Sequence, residues 1–153
     1  MARKTMTKDE ILSTTGQEIG RSEWMEITQD RINQFADATN DHQFIHVDPE
    51  AAANTPFGQT IAHGFLTLSL LAGMGFEVIP GVEGAKMGVN YGTDKVRFMA
   101  PVKSGKRVRG IFVMKDIKER GRGILQMVYD VTVEIEGEEK PALKADWISL
   151  TYV

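Results

Sequence analysis

The stretch NDHQFIHVDPE, Asn40 to Glu50, places three acids and two histidines within eleven residues of a chain that has three histidines in all. Asp41 and His46 stand five positions apart, a separation a folded loop can close so that both side chains meet one small molecule. A carboxylate and an imidazole are the usual acid–base partners near neutral pH: one polarises water while the other moves a proton. The same residues have a plainer reading, in which Asp41 caps local amides and His46 bonds a carbonyl. A metal reading uses the i, i+4 spacing of His42 and His46, with Asp41 or Asp48 adding a carboxylate. Against it, Asp48-Pro49 reads as the start of a new helix, which keeps the two histidines off one continuous helix. No Glu follows the first His to serve as a metalloprotease base, so no metal is expected.

The third histidine follows in IAHGFLTLSLL. Ile61-Ala62-His63-Gly64 leads into an apolar segment, and the first N–H groups of a helix there are free to meet a developing negative charge. Ala62, His63 and Gly64 are the candidates for holding an oxyanion, Gly64 foremost because it has no side chain to keep a ligand from the backbone. Two alternatives stand beside this: Gly64 permits close helix packing, and His63 braces the turn. Six basic residues with no acid among them, Lys95, Arg97, Lys103, Lys106, Arg107 and Arg109, either meet an anionic group such as the phosphates of a nucleotide-bearing substrate or form a solvated strand face.

These residues need elements to hold them. Thr28 is placed to cap a helix over QDRINQFADAT, with Ile32, Phe35 and Ala36 at helical spacing and Asp30 in its first turn. Asn40 can close that helix in a left-handed conformation. The spacing then predicts a loop from Asn40 to Val47, a short helix from Pro49 through Ala53 capped by Asp48, and a break at Thr55-Pro56-Phe57-Gly58. IAHGFLTLSLLAGMGF is apolar on nearly every side and too short to span a membrane, so it is expected as one buried helix. The second half turns β-rich in YGTDKVRFMAPV, KRVRGIFVMKDI, GILQMVYDVTVEI and ALKADWISLTYV. Val108, Gly110, Phe112 and Met114 alternate, as do Leu125, Met127, Tyr129 and Val131. The layout is a single α+β domain over residues 1–153, a mostly helical first half followed by antiparallel strands curling round a central helix.

The bulk composition narrows the function classes. With 42% hydrophobic and 25% charged residues the chain is neither disordered nor fibrous. A net charge of -3 speaks against general nucleic-acid binding. No apolar run is long enough for a membrane span, and MARKTMTKDE has no apolar signal core. Cysteine is absent, which removes disulfides and thiolate chemistry and fits a reducing cytoplasm.

FADATNDHQFIHVDPEAAANTPFGQTIAHGFLTLSLL resembles the MaoC-like dehydratase family, and within it the (R)-specific enoyl-CoA hydratases and nodulation-protein-N-like members. The resemblance rests on Asp41, His46 five positions on, Asp48 two beyond, and the His63-Gly64 step into an apolar helix. It continues into VRFMAPVKSGKRVRG, similar to the family's strand–Pro–Val–turn–Gly segment. It departs at Gln43 and Phe44, where many members have Asn and Pro, and at Ala72, where some have Ser.

The resemblance implies a hot-dog fold, an antiparallel sheet wrapped round a long helix, and a homodimer. It also implies reversible syn addition of water to a trans-2-enoyl thioester, giving a (3R)-3-hydroxyacyl thioester. On that likeness Asp41 and His46 are the catalytic dyad and Gly64 donates its N–H to the thioester oxygen. No cofactor is implied; the CoA or acyl-carrier thioester is the substrate. An acyl-CoA thioesterase on the same fold and a non-catalytic acyl-thioester-binding module are the alternatives.

Overall fold

The computed structural model describes residues 3–153. A short parallel pair joins β1 (Thr5–Met6) to β4 (Gly81–Val82). Between them lie α1 (Lys8–Leu12), β2 (Glu18–Arg21), β3 (Met25–Glu26), α2 (Gln29–Thr39), α3 (Phe44–Val47), α4 (Pro49–Ala52), α5 (Gly64–Ser69) and α6 (Leu71–Val78). The chain ends in β5 (Met87–Phe98), β6 (Arg107–Glu119), β7 (Ile124–Ile135) and β8 (Leu143–Tyr152). The main sheet is antiparallel, ordered β2-β6-β7-β8-β5, with β3 also paired to β6.

Strand alternation builds the core. Val108, Gly110, Phe112 and Met114 of β6 turn inward with Leu125, Met127, Tyr129, Val131, Val133 and Ile135 of β7. Against this face lie Leu66, Leu71 and Met74 of the central helix. The approach is close: a Cβ on Gly75 would stand 2.9 Å from the Trp147 ring, so a side chain at that position would force a neighbour to shift. The sheet wraps the helix, the arrangement the resemblance implies.

The central helix departs from one segment buried all round. Leu70 joins α5 to α6, and the Ser69 hydroxyl donates back to Phe65 O at 2.7 Å, a bond that commonly bends helices. Phe65 and Phe76 are each 66% exposed in the single chain. β5 starts at Met87, earlier than its branched residues suggest, and stops before Pro101, which has no N–H for a ladder. The first 28 residues hold β1, β2 and β3 as well as the short helix α1, so the first half is less helical than its periodicity predicts. Among the described residues no helix is long and apolar enough to cross a membrane.

Candidate active site

Two helix ends deliver Asp41. The Thr28 side chain accepts from Arg31 N–H at the start of α2, and Asn40 ends it at φ 60°, in the left-handed region. Asp41 follows directly, its N–H donating to Ala36 O at 3.1 Å, and its side chain is exposed. The expected loop then tightens into one helical turn, α3, because Gln43 O accepts from His46 N–H and Phe44 O from Asp48 N–H. His46 lies on that turn and is buried. Asp48 ends the turn and caps α4, accepting from Ala51 N–H at 3.0 Å, with Pro49 as the first helical residue.

His46 is held in one tautomer. Its Nδ1 lies 2.7 Å from Ile61 O, and a carbonyl only accepts, so Nδ1 carries the proton and Nε2 keeps its lone pair. Burial, the largest influence, lowers the pKa of His46; the Ile61 carbonyl raises it, His63 lowers it and Asp41 raises it. The outcome is a downward shift, which keeps the ring neutral and Nε2 basic near pH 7. Gln29 of α2 fixes the turn from below, donating to His46 O at 2.8 Å and accepting from the buried Thr60 hydroxyl.

His63 joins the pair. Its ring stacks on His46 with centroids 3.8 Å apart and planes at 25°, and its Nε2 donates to Asp41 O at 3.0 Å. A carboxylate oxygen of Asp41 and one ring nitrogen each of His46 and His63 lie within 4.8 Å of one another. The stack argues against a shared cation: each imidazole binds a metal in its own plane, and nearly parallel stacked planes do not meet at bonding distance. The expected separation of His42 is observed, since it turns outward to Asp37 at 2.8 Å.

The oxyanion candidates separate on their amides. Ala62 N–H is already donated to Val102 O at 2.8 Å, whereas His63 N–H has no hydrogen-bond acceptor among the described residues and its side chain is committed to Asp41. Among the described residues no hydrogen bond uses Gly64 N–H. A cavity of about 240 Å³ opens against Gly64, lined among others by Phe57, Thr67, Phe98 and Ala142. Of the six basic residues, three are occupied by carboxylates of the β7 strand and the turn after it. Arg107 pairs with Glu136, Arg109 with Glu134 at 2.7 Å and Lys106 with Glu138 at 3.9 Å. Lys95, Arg97 and Lys103 have no ion pair among the described residues. The sequence carried no sign of Ile61 O or of the Gln29–Thr60 brace, because a main-chain carbonyl and a neutral amide have no chemical signature of their own.

A buried, neutral imidazole near an exposed carboxylate, with an unspent amide on the residue after His63, suits addition or removal of water. Residues 10–136 match the family described as "MaoC like domain". The chain belongs to the MaoC-like dehydratase family, a family of hydro-lyases. Nodulation protein N of Rhizobium leguminosarum bv. viciae is 57% identical over 142 residues, covering 92% of this chain and 88% of that protein. The 3-hydroxyacyl-thioester dehydratase Z of Mycobacterium tuberculosis (strain ATCC 25618 / H37Rv) is 48% identical over 139 residues, covering 91% of each. The (R)-hydratase of A. caviae superposes with a TM-score of 0.71 at 24% identity, covering 88% of this chain and 94% of that one, and shares the hot-dog fold.

Proposed function

We propose that this MaoC-like chain is an (R)-specific enoyl-thioester hydratase, adding water reversibly to a trans-2-enoyl thioester to give the (3R)-3-hydroxyacyl thioester. The observation that carries the reading is the proton inventory of His46: Nδ1–H is spent on Ile61 O, leaving a basic Nε2 on a ring that has a nitrogen within 4.8 Å of an Asp41 carboxylate oxygen. The relative described as a 3-hydroxyacyl-thioester dehydratase supports the same reaction in its reverse direction.

Water is a poor nucleophile, and the charge that forms at C2 on attack at C3 is high in energy. Asp41 and His46 hold the water between them, and its proton enters the dyad at Nε2 as oxygen bonds to C3. The charge spreads onto the thioester oxygen, where Gly64 N–H receives it; one such donor is typically worth about 3–4 kcal/mol in the transition state. The dyad delivers a proton to C2 through Asp41 and returns unchanged. Entry and exit on one face of the alkene make the addition syn. No metal or redox group is needed.

The reading includes a homodimer, since β5 is a twelve-residue edge strand carrying exposed Met87, Val89, Tyr91 and Phe98. Exposed apolar stretches on an edge strand, as at Met87, Val89 and Tyr91, invite a second strand.

Incubation with crotonyl-CoA and longer enoyl-CoA substrates, following loss of the conjugated thioester absorbance, tests the activity. Turnover without release of free thiol is expected. Thiol release instead identifies a thioesterase, and binding without turnover at any chain length identifies a non-catalytic module.

A further inference from the structure

We propose that His63 is a positioning residue for this reaction: one imidazole at the start of α5 ties the two halves of the dyad together, donating to the main chain of Asp41 and stacking on the ring of His46. The proposal rests on the hydratase reading for its kinetic consequences. The coupling itself is measurable without substrate.

Asp41 needs such a tie. Its upstream anchor is the bond from its N–H to Ala36 O, and its carboxylate accepts only a long 3.4 Å contact from Gln43 N–H among the described residues. An exposed carboxylate on so few bonds has rotamer freedom that productive geometry cannot tolerate. The bond from His63 Nε2 to Asp41 O fixes the peptide immediately downstream of the reacting side chain. The same ring covers one face of His46, and Phe35 of α2 backs it with centroids 5.0 Å apart. His63 thus touches both members of the dyad while being only 2% exposed itself.

Packing alone does not account for histidine here. Because Asp41 O can only accept, His63 Nε2 must carry its proton, which leaves Nδ1 as a bare lone pair. That Nδ1 is buried and has no partner among the described residues. An apolar ring of similar shape would fill the space without burying an unpartnered polar atom, so the histidine is retained against a desolvation penalty. What it supplies that an apolar ring cannot is the donor at Nε2. The ring also makes protonation of His46 less favourable, because the stacked His63 imidazole acts on it electrostatically at 3.8 Å between centroids. The titratable groups acting on His46 are His63 from the start of α5 and Asp41 from the loop after α2; Ile61 presents a carbonyl and Gln29 of α2 a neutral amide.

Two substitutions separate the two contacts. His63→Phe keeps a ring on His46 and loses the donor; kcat toward an enoyl-CoA is expected to fall about tenfold to a hundredfold with KM within about twofold, the mark of lost transition-state positioning. His63→Gln keeps an amide donor near the Nε2 position and loses the ring. The NMR titration midpoint of His46 is expected to rise, and the acid limb of kcat/KM to move to higher pH with it. Wild-type kcat in folded His63→Phe, or an unmoved His46 midpoint in folded His63→Gln, overturns the proposal. If neither variant folds, ring nitrogen spectra of the wild-type protein decide. Protonated Nε2 and bare Nδ1 on His63 are expected, and the opposite tautomer overturns the tie to Asp41. A wild-type protein that turns over no enoyl thioester sinks the hydratase reading instead, while the tautomer and titration results still judge the coupling.

Discussion

The Phe98 ring lies 2.8 Å from where a Cβ on Gly64 would stand, so the last residue of β5 closes over the first residue of α5. Glycine at position 64 therefore answers a packing demand, whatever its amide does in catalysis. The two roles are separable because they use different atoms: the demand concerns Cα, and the oxyanion role concerns N–H.

Removing the ring isolates the amide. In a Phe98→Ala background, Gly64→Ala keeps N–H and is expected to retain the background activity. Gly64→Pro in the same background deletes N–H at the first helical position, where proline is tolerated. His63, at φ -59° and ψ 136°, already has the extended backbone that a residue before proline requires. Loss of about 10²–10³ in kcat for the proline variant alone is expected for one oxyanion donor. Equal activity of the two double variants removes Gly64 from the mechanism.

Asp41→Asn and His46→Gln test the dyad. Each is expected to lower kcat by about 10²–10⁴, the range for a positioned acid–base group. Asp41 is exposed and its carboxylate holds no strong bond, so Asp41→Asn should leave the thermal midpoint within about 2 °C, as surface substitutions do. His46→Gln also loses the bond to Ile61 O and should unfold at lower temperature. Wild-type turnover in both variants assigns the chemistry elsewhere.

Acid should reveal the depressed His46 in stability as well as rate. The unfolded chain protonates this imidazole near the ordinary value of about 6.5, whereas the folded protein does so only at lower pH. In that window the unfolded state binds more protons, so stability rises with pH and levels off above about 6.5. As pH falls through the folded value the contribution of this group is lost. Denaturant titrations across the window should show that slope in the wild type and a shallower one in His46→Gln. Identical slopes would falsify the burial argument for this residue.

Much of the candidate site was legible because its residues are recognisable side-chain types at fixed spacing. Asp41, His46, Asp48 and the His63-Gly64 step each have a recognisable type and a cap or helix start beside them. Thr28 and Asn40 bound α2 where capping chemistry placed them. What lay hidden depends on partners distant in the chain. Ile61 O sets the His46 tautomer from fifteen residues away, and Phe98 imposes glycine at position 64 from the end of a strand. The basic run from Lys95 to Arg109 looked uniform until β7 and the turn beyond it supplied Glu134, Glu136 and Glu138. Phe65 and Phe76 read as core because hydropathy cannot distinguish a residue covered by its own fold from one left facing outward.

Gln29 provides a test of support from outside the reacting set. It donates to His46 O and to Asn33 Oδ1 while accepting from Thr60, so one amide joins α2, α3 and the segment before α5. Gln29→Ala strands the buried Thr60 hydroxyl and should cost about 1–3 kcal/mol in denaturant unfolding. Activity should fall at constant KM, because α3 carries His46. Thr60→Val in the Gln29→Ala background leaves no stranded hydroxyl and should recover part of the stability without recovering rate.

The edge of the sheet supports the last prediction. β5 pairs with β8 on one side only, and its twelve residues leave a row of peptide groups unclaimed on the other. Register shifts at Asn90/Gly92 and Asp94/Arg97 and the charges of Asp94, Lys95 and Arg97 interrupt the C-terminal part of this edge, whereas Met87, Val89 and Tyr91 leave its N-terminal part apolar and exposed. On the neighbouring helix Phe65 and Phe76 add apolar surface that a single chain leaves in water. Two copies aligned along β5 would pair the edges and cover these side chains together. Light scattering coupled to size exclusion is expected to give twice the 17.0 kDa chain mass at micromolar concentration. Val89→Lys with Tyr91→Lys places charge on that edge and should shift the protein to monomer. A wild type that remains monomeric at every concentration rejects the pairing, and the exposed edge then needs a different partner.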